Sequence, residues 1–251
     1  MMYYYIDFEA SEAEKKIISV GCICEDGREF YSLVNTDDPI TFRITQITGI
    51  TQEDVNEAPA SEKVFADLFD WCYSEDEAPQ FICYGDGDFD FVYANSQCTT
   101  GYKEALMLSY LYLNMYDCSQ DMKDHFLVNK TISLEKLGQH YDETMGAQNH
   151  NALDDAKLLK MVYEKMNSGQ TENNVFNEYL SPGRIPSQIR KVVRLIGNEV
   201  ANEFESLSEA VKWIRTQPND KGGSYLNNAE EKIITAARNG SKYFNSYWRI
   251  L

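Results

Sequence analysis

The spacing of apolar and polar residues predicts an α/β architecture for the first two thirds of the chain. Strand patterns occupy 3–9 and 80–86, and a hairpin is predicted over 16–35 with its turn at Asp26-Gly27. The segments with helical periodicity are 61–73, 88–127 with breaks near Gly101 and Asp117, 133–141 and 151–166. This order of elements predicts a mixed sheet flanked by helices.

The pattern is interrupted and then restarts after residue 170. The composition of NSGQTENN (167–174) is typical of a linker, and SPGRIP (181–186) forms a second break. The elements predicted beyond it are a strand at 189–196, helices at 206–216 and 228–240, and an aromatic strand at the end of the chain. We therefore predict a first domain over 1–170, a linker over 171–186 and a small α+β domain over 187–251.

The composition is that of a globular protein with an acidic first domain. Hydrophobic residues make up 43% of the 251 positions, which is enough for a core. Residues 1–170 carry 31 Asp and Glu against 12 Lys and Arg, whereas residues 171–251 carry 9 against 11. Such an acidic first part is unlike a simple nucleic-acid-binding domain, and it fits either an acidic surface or a carboxylate cluster that needs a metal.

The sequence also lacks the signals of a membrane or secreted protein. It has no run of 18 apolar residues, and its N-terminus leads into a strand rather than into a signal peptide. The six cysteines form no CxxC pair and stand among apolar residues, so we expect buried, reduced thiols and no zinc site. These features predict a cytoplasmic protein that does not bind membranes.

Two acidic residues stand on one face of the first predicted strand. Asp7 and Glu9 are two residues apart, so their side chains point to the same side of the sheet. Their apolar neighbours Tyr5, Ile6 and Phe8 favour a central strand, where two carboxylates are costly unless a cation or a partner compensates them. The alternative is an edge strand that exposes both carboxylates.

Three more acidic residues follow the apolar strand at 80–86, where the chain leaves the sheet. Asp86, Asp88 and Asp90 lie at a strand end, the place where α/β proteins form clefts. A turn that uses Asp and Gly for backbone reasons accounts for one or two of the three. At least one of them is therefore a candidate site residue.

The segment NHNALDDAKLL (149–159) places a histidine before two adjacent aspartates at a predicted helix start. Asn151 is a good N-cap, and Asp in a first turn is favoured by the helix dipole, so this segment could simply start a helix. Asp155, however, lies on the buried stripe of the helix, whereas Asp154 points elsewhere. His150 can converge with Asp155 only from the loop before the helix, which is where an Asn151 N-cap puts it.

Together these acidic residues and the histidine indicate metal-dependent phosphodiester chemistry. Clustered carboxylates are the ligands that Mg²⁺ and Mn²⁺ prefer. Two such ions, about 3.5–4 Å apart, can activate a water and stabilise a leaving oxygen. A histidine at the mouth of the site can take the proton from that water.

The order Asp7-x-Glu9, Asp88, His150-x4-Asp155 resembles the DnaQ-like (DEDDh) 3′–5′ exonucleases of the ribonuclease H-like fold. The segments DFEAS, ITGITQEDVNEAP (47–59) and SLEKLGQHY (133–141) add to this resemblance, which covers residues 1–168. DFEAS is more similar to the RNA-processing branch than to the proofreading branch of the family. The spacing after Gly85 favours Asp88 as the middle aspartate, with Asp90 as the second candidate.

The resemblance implies a role for each of these residues. It assigns two ions, Mg²⁺ or Mn²⁺, and the implied metal ligands are Asp7, Glu9, Asp88 and Asp155. Among these, Asp7 would bridge the ions and Asp88 would support the second one, while His150 would be the general base. Phe8 and the loop Thr48-Gly49-Ile50 would lie against the 3′-terminal nucleotide of a single-stranded nucleic acid.

The C-terminal part resembles the small DNA-binding repeats of intron-encoded nucleases. The matching segments are EFESLSEAVKWI, KIITAARNG and YWRIL. A nucleic-acid-binding role is thereby implied for the basic residues Arg190, Lys191 and Arg194. The alternative is a small domain that packs on the exonuclease or on a protein partner, since a run of basic residues is usually a solvated face.

The features of the sequence agree with three functions to different degrees. The leading hypothesis is a metal-dependent 3′–5′ exonuclease that releases nucleoside 5′-monophosphates from DNA or RNA. The second is a catalytically silent binding module on an exonuclease fold, which the complete set of acidic residues and His150 disfavours. The third is an interaction protein whose acidic face docks a basic partner, which does not explain acids on a central strand and on a buried helix stripe.

Overall fold

A computed structural model describes residues 2–73, 78–143, 150–169, 172, 175–176, 179, 191–197, 199–217 and 229–250. The contacts divide the chain into two compact units. The first comprises residues 1–118 and 133–168, and the second comprises residues 119–132 and 169–251. The short segment 119–132 therefore packs with the C-terminal part of the chain, although it lies within the predicted first domain.

All the predicted helices and strands are present, together with four elements that the sequence did not predict. The strands are β1 Met2–Ala10, β2 Ile17–Cys24, β3 Glu29–Leu33, β4 Pro79–Cys83, β5 Tyr116–Asp117, β6 Val192–Ile196, β7 Glu199–Phe204 and β8 Tyr247–Ile250. The helices are α1 Phe42–Thr48, α2 Gln52–Glu57, α3 Ser61–Cys72, α4 Gly87–Ser96, α5 Tyr102–Asn114, α6 Ser119–His125, α7 Leu134–Tyr141, α8 Ala152–Ser168, α9 Leu207–Arg215 and α10 Ala229–Asn239. The predicted α/β class with a mixed sheet flanked by helices is confirmed.

The first unit is built on a five-stranded mixed sheet in which β1 is central. The strand order is β3-β2-β1-β4-β5, with β1 antiparallel to β2 and parallel to β4. The hairpin β2–β3 turns where Asp26-Gly27 predicts it, and Gly27 takes a φ of 91°, which glycine adopts without strain. Because β1 is central, the alternative of an exposed edge strand is excluded for Asp7 and Glu9.

Two short helices, α1 and α2, lie in a segment that was predicted to be a loop. Within α1 no residue is fully buried, although Ile44 packs against a small buried cluster, and α2 contributes Val55 to that cluster. Both are started by threonine caps, since the Thr41 hydroxyl accepts the Ile44 N–H and the Thr51 hydroxyl accepts the Asp54 N–H. Local capping, together with one apolar contact from each helix, therefore defines these helices.

The start of α8 packs directly on the backbone of β2. A Cβ added to Gly21 would lie 2.1 Å from the Leu153 amide nitrogen and 2.2 Å from the Ala152 carbonyl carbon, so only glycine fits there. Gly21 is also the register partner of Asp7 on the neighbouring strand. This close approach brings the first turn of α8 over the same face of the sheet as Asp7.

We expect Gly21→Ala to destabilise the protein by about 3 kcal/mol, the upper part of the range for overpacking, because backbone must move to admit the methyl group. Urea unfolding followed by circular dichroism measures this loss. Gly87→Ala is the matched control, since a Cβ at Gly87 meets nothing within 4 Å. Equal midpoints for the two variants would contradict the proposed close approach.

The second unit contains a three-stranded antiparallel sheet of order β7-β6-β8 and the helices α9 and α10. Its core includes Val192, Ile214, Ile233 and Trp248. The strand β7 follows Gly197, which has a φ of 61°, and was not predicted. The linker predicted over 171–186 lies almost entirely outside the described residues.

Two of the three basic residues assigned to nucleic-acid binding are engaged within this unit. The Arg194 guanidinium lies over the Trp213 ring, 4.5 Å from its centroid, and donates to Asn202 Oδ1 and Ser246 Oγ. Lys191 Nζ is 3.0 Å from a carboxylate oxygen of Glu205. The geometry of Arg194 is thus that of a structural side chain, and Arg190 lies outside the described residues.

All six cysteines are free thiols, and the sequence predicted that all of them would be buried. Five of the six cysteines are buried, but Cys98, just after α4, is exposed. Among the helices of the described residues, none has both the length and the apolar character needed to cross a bilayer.

Candidate active site

The central strand presents two carboxylates to one face of the sheet. Asp7 and Glu9 alternate with the buried side chains of Ile6 and Phe8, which point into the core on the other face. Glu9 lies at a register irregularity between β1 and β2, at the end of the pairing. The Glu9 carboxylate therefore lies where the regular pairing between β1 and β2 ends.

The chain leaves β4 through a glycine turn and enters α4 beside these two residues. Gly85 has a φ of 98°, and its N–H donates to the Asp117 carboxylate at 2.8 Å. Asp88, in the first turn of α4, is 6% exposed, and its Oδ2 is buried without a hydrogen-bond partner. Asp90 instead points to solvent, where its carboxylate is 2.6 Å from Lys15 Nζ. The geometry thus brings Asp88 into the cluster and leaves Asp90 outside.

The first turn of α8 contributes a third acidic position. Asn151 is the N-cap, and its Oδ1 accepts the N–H groups of Leu153 and Asp154. Asp155 is 3% exposed, whereas Asp154 is exposed, as the helical pattern predicts. His150 precedes the helix with a φ of 47°, a left-handed conformation that is uncommon for a residue with a side chain.

Three of these side chains converge on one point, and Asp7 and Asp88 interact with them electrostatically. Ligand atoms of Glu9, His150 and Asp155 all lie within 4.8 Å of one another. Asp7 interacts electrostatically with the carboxylates of Asp88 and Asp155. Residues that are up to 148 positions apart in the sequence thus form one cluster, which the spacing of the motifs alone could only suggest.

Burial and mutual repulsion raise the pKa values of the clustered carboxyl groups. Burial raises the pKa of Glu9 to about 8, with a further rise from Asp155. Burial also raises the pKa of Asp7 well above its usual range, and the other three carboxylates add to that rise. For Asp88, burial is again the main cause, followed by the charges of Asp117 and Glu9.

This donor set fits divalent cations. A buried carboxylate oxygen without a partner, such as Asp88 Oδ2, needs an explanation, and a cation supplies one. Carboxylate oxygens are the ligands that Mg²⁺ and Mn²⁺ prefer, and a bound cation removes the repulsion among them. Within the described residues, the cluster of Glu9, His150 and Asp155 is the group that could hold a metal ion.

In the absence of metal, we expect stability to fall as the pH rises from about 4 to about 8. The folded protein keeps protons on carboxyl groups such as Glu9, whose pKa is about 8, whereas the unfolded chain releases them near pH 4. The folded state therefore binds more protons in this window, and the free energy of unfolding decreases with pH. Thermal unfolding in EDTA measures this slope, and Glu9→Gln should flatten it. An equal slope in that variant would refute the assignment.

The positions predicted to contact the terminal nucleotide have different surroundings. The side chains of Phe8 and Ile50 are 3% and 7% exposed and pack in the core, so they do not line the site surface as predicted. The Thr48 hydroxyl donates to the Ile44 carbonyl and accepts the Ile50 N–H. Gly49 is exposed and has a φ of 76°. The exposed part of this loop is thus its backbone around Gly49.

A buried amide that was not predicted from the sequence links two segments of the site. Asn95 in α4 donates to the carbonyls of Lys15 and Phe91, and its Oδ1 accepts the Ile17 N–H. It thereby ties the helix of Asp88 to the loop between β1 and β2. Its position on the buried side of α4, seven residues after Asp88, was the signal that could have identified it.

Comparison with known proteins gives one curated relative and several solved structures. The chain is 28% identical over 151 residues to 3′-5′ exoribonuclease 1 of Rattus norvegicus. That match covers 56% of this chain and 41% of the relative, so this chain spans less than half of the length of the curated relative that it matches.

The solved structures share the fold at low identity. The nuclease domain of 3′hExo, a DEDDh family member bound to rAMP, has a TM-score of 0.56 and 19% identity, covering 68% of this chain and 94% of that one. A 3′-exonuclease that recognises the histone mRNA stem-loop has a TM-score of 0.57 and 15% identity, covering 88% and 73%. The predicted ribonuclease H-like fold is confirmed by these neighbours.

A protein-family model matches most of the first unit. The RNase_T family model, whose description is exonuclease, matches residues 5–163. This range contains the five clustered residues and covers more than half of the chain. The chain therefore belongs to the RNase_T exonuclease family.

Proposed function

We propose that this exonuclease-family chain is a metal-dependent 3′–5′ exonuclease that releases nucleoside 5′-monophosphates. The observation that carries this proposal is the convergence of His150 with the carboxylates of Glu9 and Asp155 beside the buried, unpartnered oxygen of Asp88. Such a group combines hard anionic ligands with a base, as phosphodiester hydrolysis requires.

The carboxylates and the histidine of the cluster would have separate roles. Two Mg²⁺ or Mn²⁺ ions, held by the carboxylates of Asp7, Glu9, Asp88 and Asp155, would supply an activated water and stabilise charge on the leaving 3′ oxygen. His150 would accept the proton of the attacking water, because neutral imidazole is a good base near pH 7. Its exposed position before α8 lets it reach a substrate from the solvent side.

Single-stranded RNA is the substrate that we propose, with its 3′ end at the cluster. Support comes from the matched exoribonuclease and from the 3′-exonuclease structure on a histone mRNA stem-loop. The exposed Gly49 backbone would contact the terminal nucleotide. DNA cleavage at an equal rate would leave the exonuclease proposal intact and overturn the preference for RNA.

A cleavage assay tests the proposal directly. The protein is incubated with 5′-labelled single-stranded RNA and with DNA of the same sequence, in Mg²⁺, Mn²⁺ or EDTA. We expect a ladder that shortens from the 3′ end, requires the metal and yields 5′-monophosphates on chromatography. An absence of cleavage with either metal would favour the catalytically silent binding module instead.

A pair of aspartate variants tests which middle aspartate takes part. We expect Asp88→Asn to lower the cleavage rate by about 100-fold, since it removes one buried carboxylate that would act on the second ion. Asp90→Asn should retain the wild-type rate within about two-fold, because Asp90 forms an exposed ion pair with Lys15. The reverse order of effects would assign the role to Asp90.

A further inference from the structure

One side of the helix α1 packs through the half-buried Ile44 against a small buried cluster that includes Ile50. None of its residues is fully buried, and such a helix of seven residues is marginal by itself. Side-chain hydrogen bonds also fix it. The Thr45 hydroxyl donates to the Ile50 carbonyl at 2.8 Å, and Gln52 Oε1 accepts the Ile40 N–H at 2.9 Å. The other side of α1 faces solvent.

The N-terminal end of α1 is hydrogen-bonded to the segment that follows the central strand β1. Both carboxylate oxygens of Glu12 are used, one accepting from the Thr41 hydroxyl and one from Arg43 Nη1, each at 2.9 Å. Glu12 follows Glu9 by three residues, a span of at most about 11 Å between the Cα atoms. Glu12 therefore connects the start of α1 to the strand end that carries Glu9.

The solvent side of α1 carries an aromatic ring beside a guanidinium. Phe42 is 76% exposed, and the Arg43 side chain is 73% exposed despite its contact with Glu12. Gln46 and Ile47, one turn further on, are also exposed. An exposed aromatic ring next to a cation is the combination that binds single-stranded nucleic acid, by stacking on a base and by contact with a phosphate.

We propose that Phe42 and Arg43 form an upstream binding platform for the single strand whose 3′ end is cleaved, with Phe42 stacking on a base and Arg43 contacting a phosphate. This inference rests on the proposed exonuclease function and adds a specific subsite to it. The seven-residue α1 separates Phe42 from Gly49 by about 10 Å, so the platform would contact a nucleotide upstream of the terminal one.

The platform makes binding depend on the length of the strand. A dinucleotide at the cluster would end short of Phe42, whereas a decanucleotide would extend over α1. The contribution of Phe42 should therefore be small for the dinucleotide and large for the decanucleotide. Arg43 adds an electrostatic part, so the contribution of the platform should decrease as salt is added.

The test measures binding of fluorescein-labelled single-stranded RNA by anisotropy, with every variant made in the Asp155→Asn background so that the RNA stays intact. Phe42→Ala should raise the Kd for the decanucleotide about ten-fold. Phe42→Trp, which keeps an aromatic ring at this position, should have the Kd of the protein with Phe42. Tyr102→Ala is the matched control. Tyr102, on α5, is 79% exposed and is no part of the platform, so its replacement should leave the Kd unchanged.

The outcomes separate this inference from the proposed function. An unchanged Kd in Phe42→Ala, or equal losses in Phe42→Ala and Tyr102→Ala, would overturn the platform, even where the wild-type protein degrades RNA. Binding that depends on Phe42 in a protein that does not cut would support the platform and overturn the exonuclease proposal. A wild-type protein that neither binds nor cuts the RNA would overturn both.

Discussion

Replacing Asp155 by Asn is expected to lower the rate of 3′-end cleavage by about 10⁴-fold, or about 5 kcal/mol of activation free energy, while the protein stays folded. Asp155 is 3% exposed and faces both Glu9 and His150 from the first turn of α8. Asn keeps the size of the side chain but removes the negative charge. The cation would then lose an anionic ligand.

The same substitution should change the behaviour of the metal-free protein in the opposite direction. The charge of Asp155 contributes to the raised pKa of Glu9 and of Asp7, so removing it relieves repulsion inside the cluster. In EDTA at pH 8 we expect Asp155→Asn to be at least as stable as the wild type. The increase in Tm that Mn²⁺ gives to the wild type should be lost, since that increase measures metal binding to the folded state.

Asp154→Asn is the control for both measurements. Asp154 is adjacent in the sequence and also lies in the first turn of α8, but its side chain is exposed, and among the described residues it is not part of the group that could hold a metal ion. Its replacement should change the cleavage rate by less than about two-fold. If both variants lost activity equally, a general effect on the helix start would explain the loss better than the loss of a metal ligand.

The parts of the site that could be predicted from sequence are those fixed by local periodicity. Alternation along β1 places Asp7 and Glu9 on one face, and the helical stripe of α8 turns Asp155 inward and Asp154 outward. Asn151 as N-cap places His150 before the helix. Each of these conclusions needs only the geometry of one element, and each is confirmed as geometry.

The parts that could not be predicted depend on contacts between distant segments. The spacing after Gly85 favours Asp88 over Asp90, but the pairing of Asp90 with Lys15, 75 positions away, has no local signal. The position of Gly21 against Ala152 and Leu153 likewise has no local signal. Arg194 belongs to a basic run in the sequence, yet Trp213 and Asn202 engage it in the fold.

Replacing His150 by Ala is expected to lower the cleavage rate by about 10³-fold, within the range for the loss of a general base. The residue is exposed and has a φ of 47°. One of its ring nitrogens lies within 4.8 Å of carboxylate oxygens of Glu9 and Asp155. This position allows two roles, a base that takes a proton from the attacking water or a ligand of the cation. The two roles make different predictions for how the variant depends on metal concentration.

A general base leaves the metal requirement unchanged when it is removed. We therefore expect the Mn²⁺ concentration that gives half-maximal activity in His150→Ala to match the wild-type value, and added imidazole to restore part of the rate. A metal ligand would behave differently, since its loss would raise that concentration by about ten-fold or more, and excess Mn²⁺ would then restore activity. His140→Ala, on α7 and outside the cluster, is the control and should keep the wild-type rate. Because the carboxylates of Glu9 and Asp155 already supply anionic oxygen ligands at this point, the imidazole is better suited to carry the proton than to hold the ion.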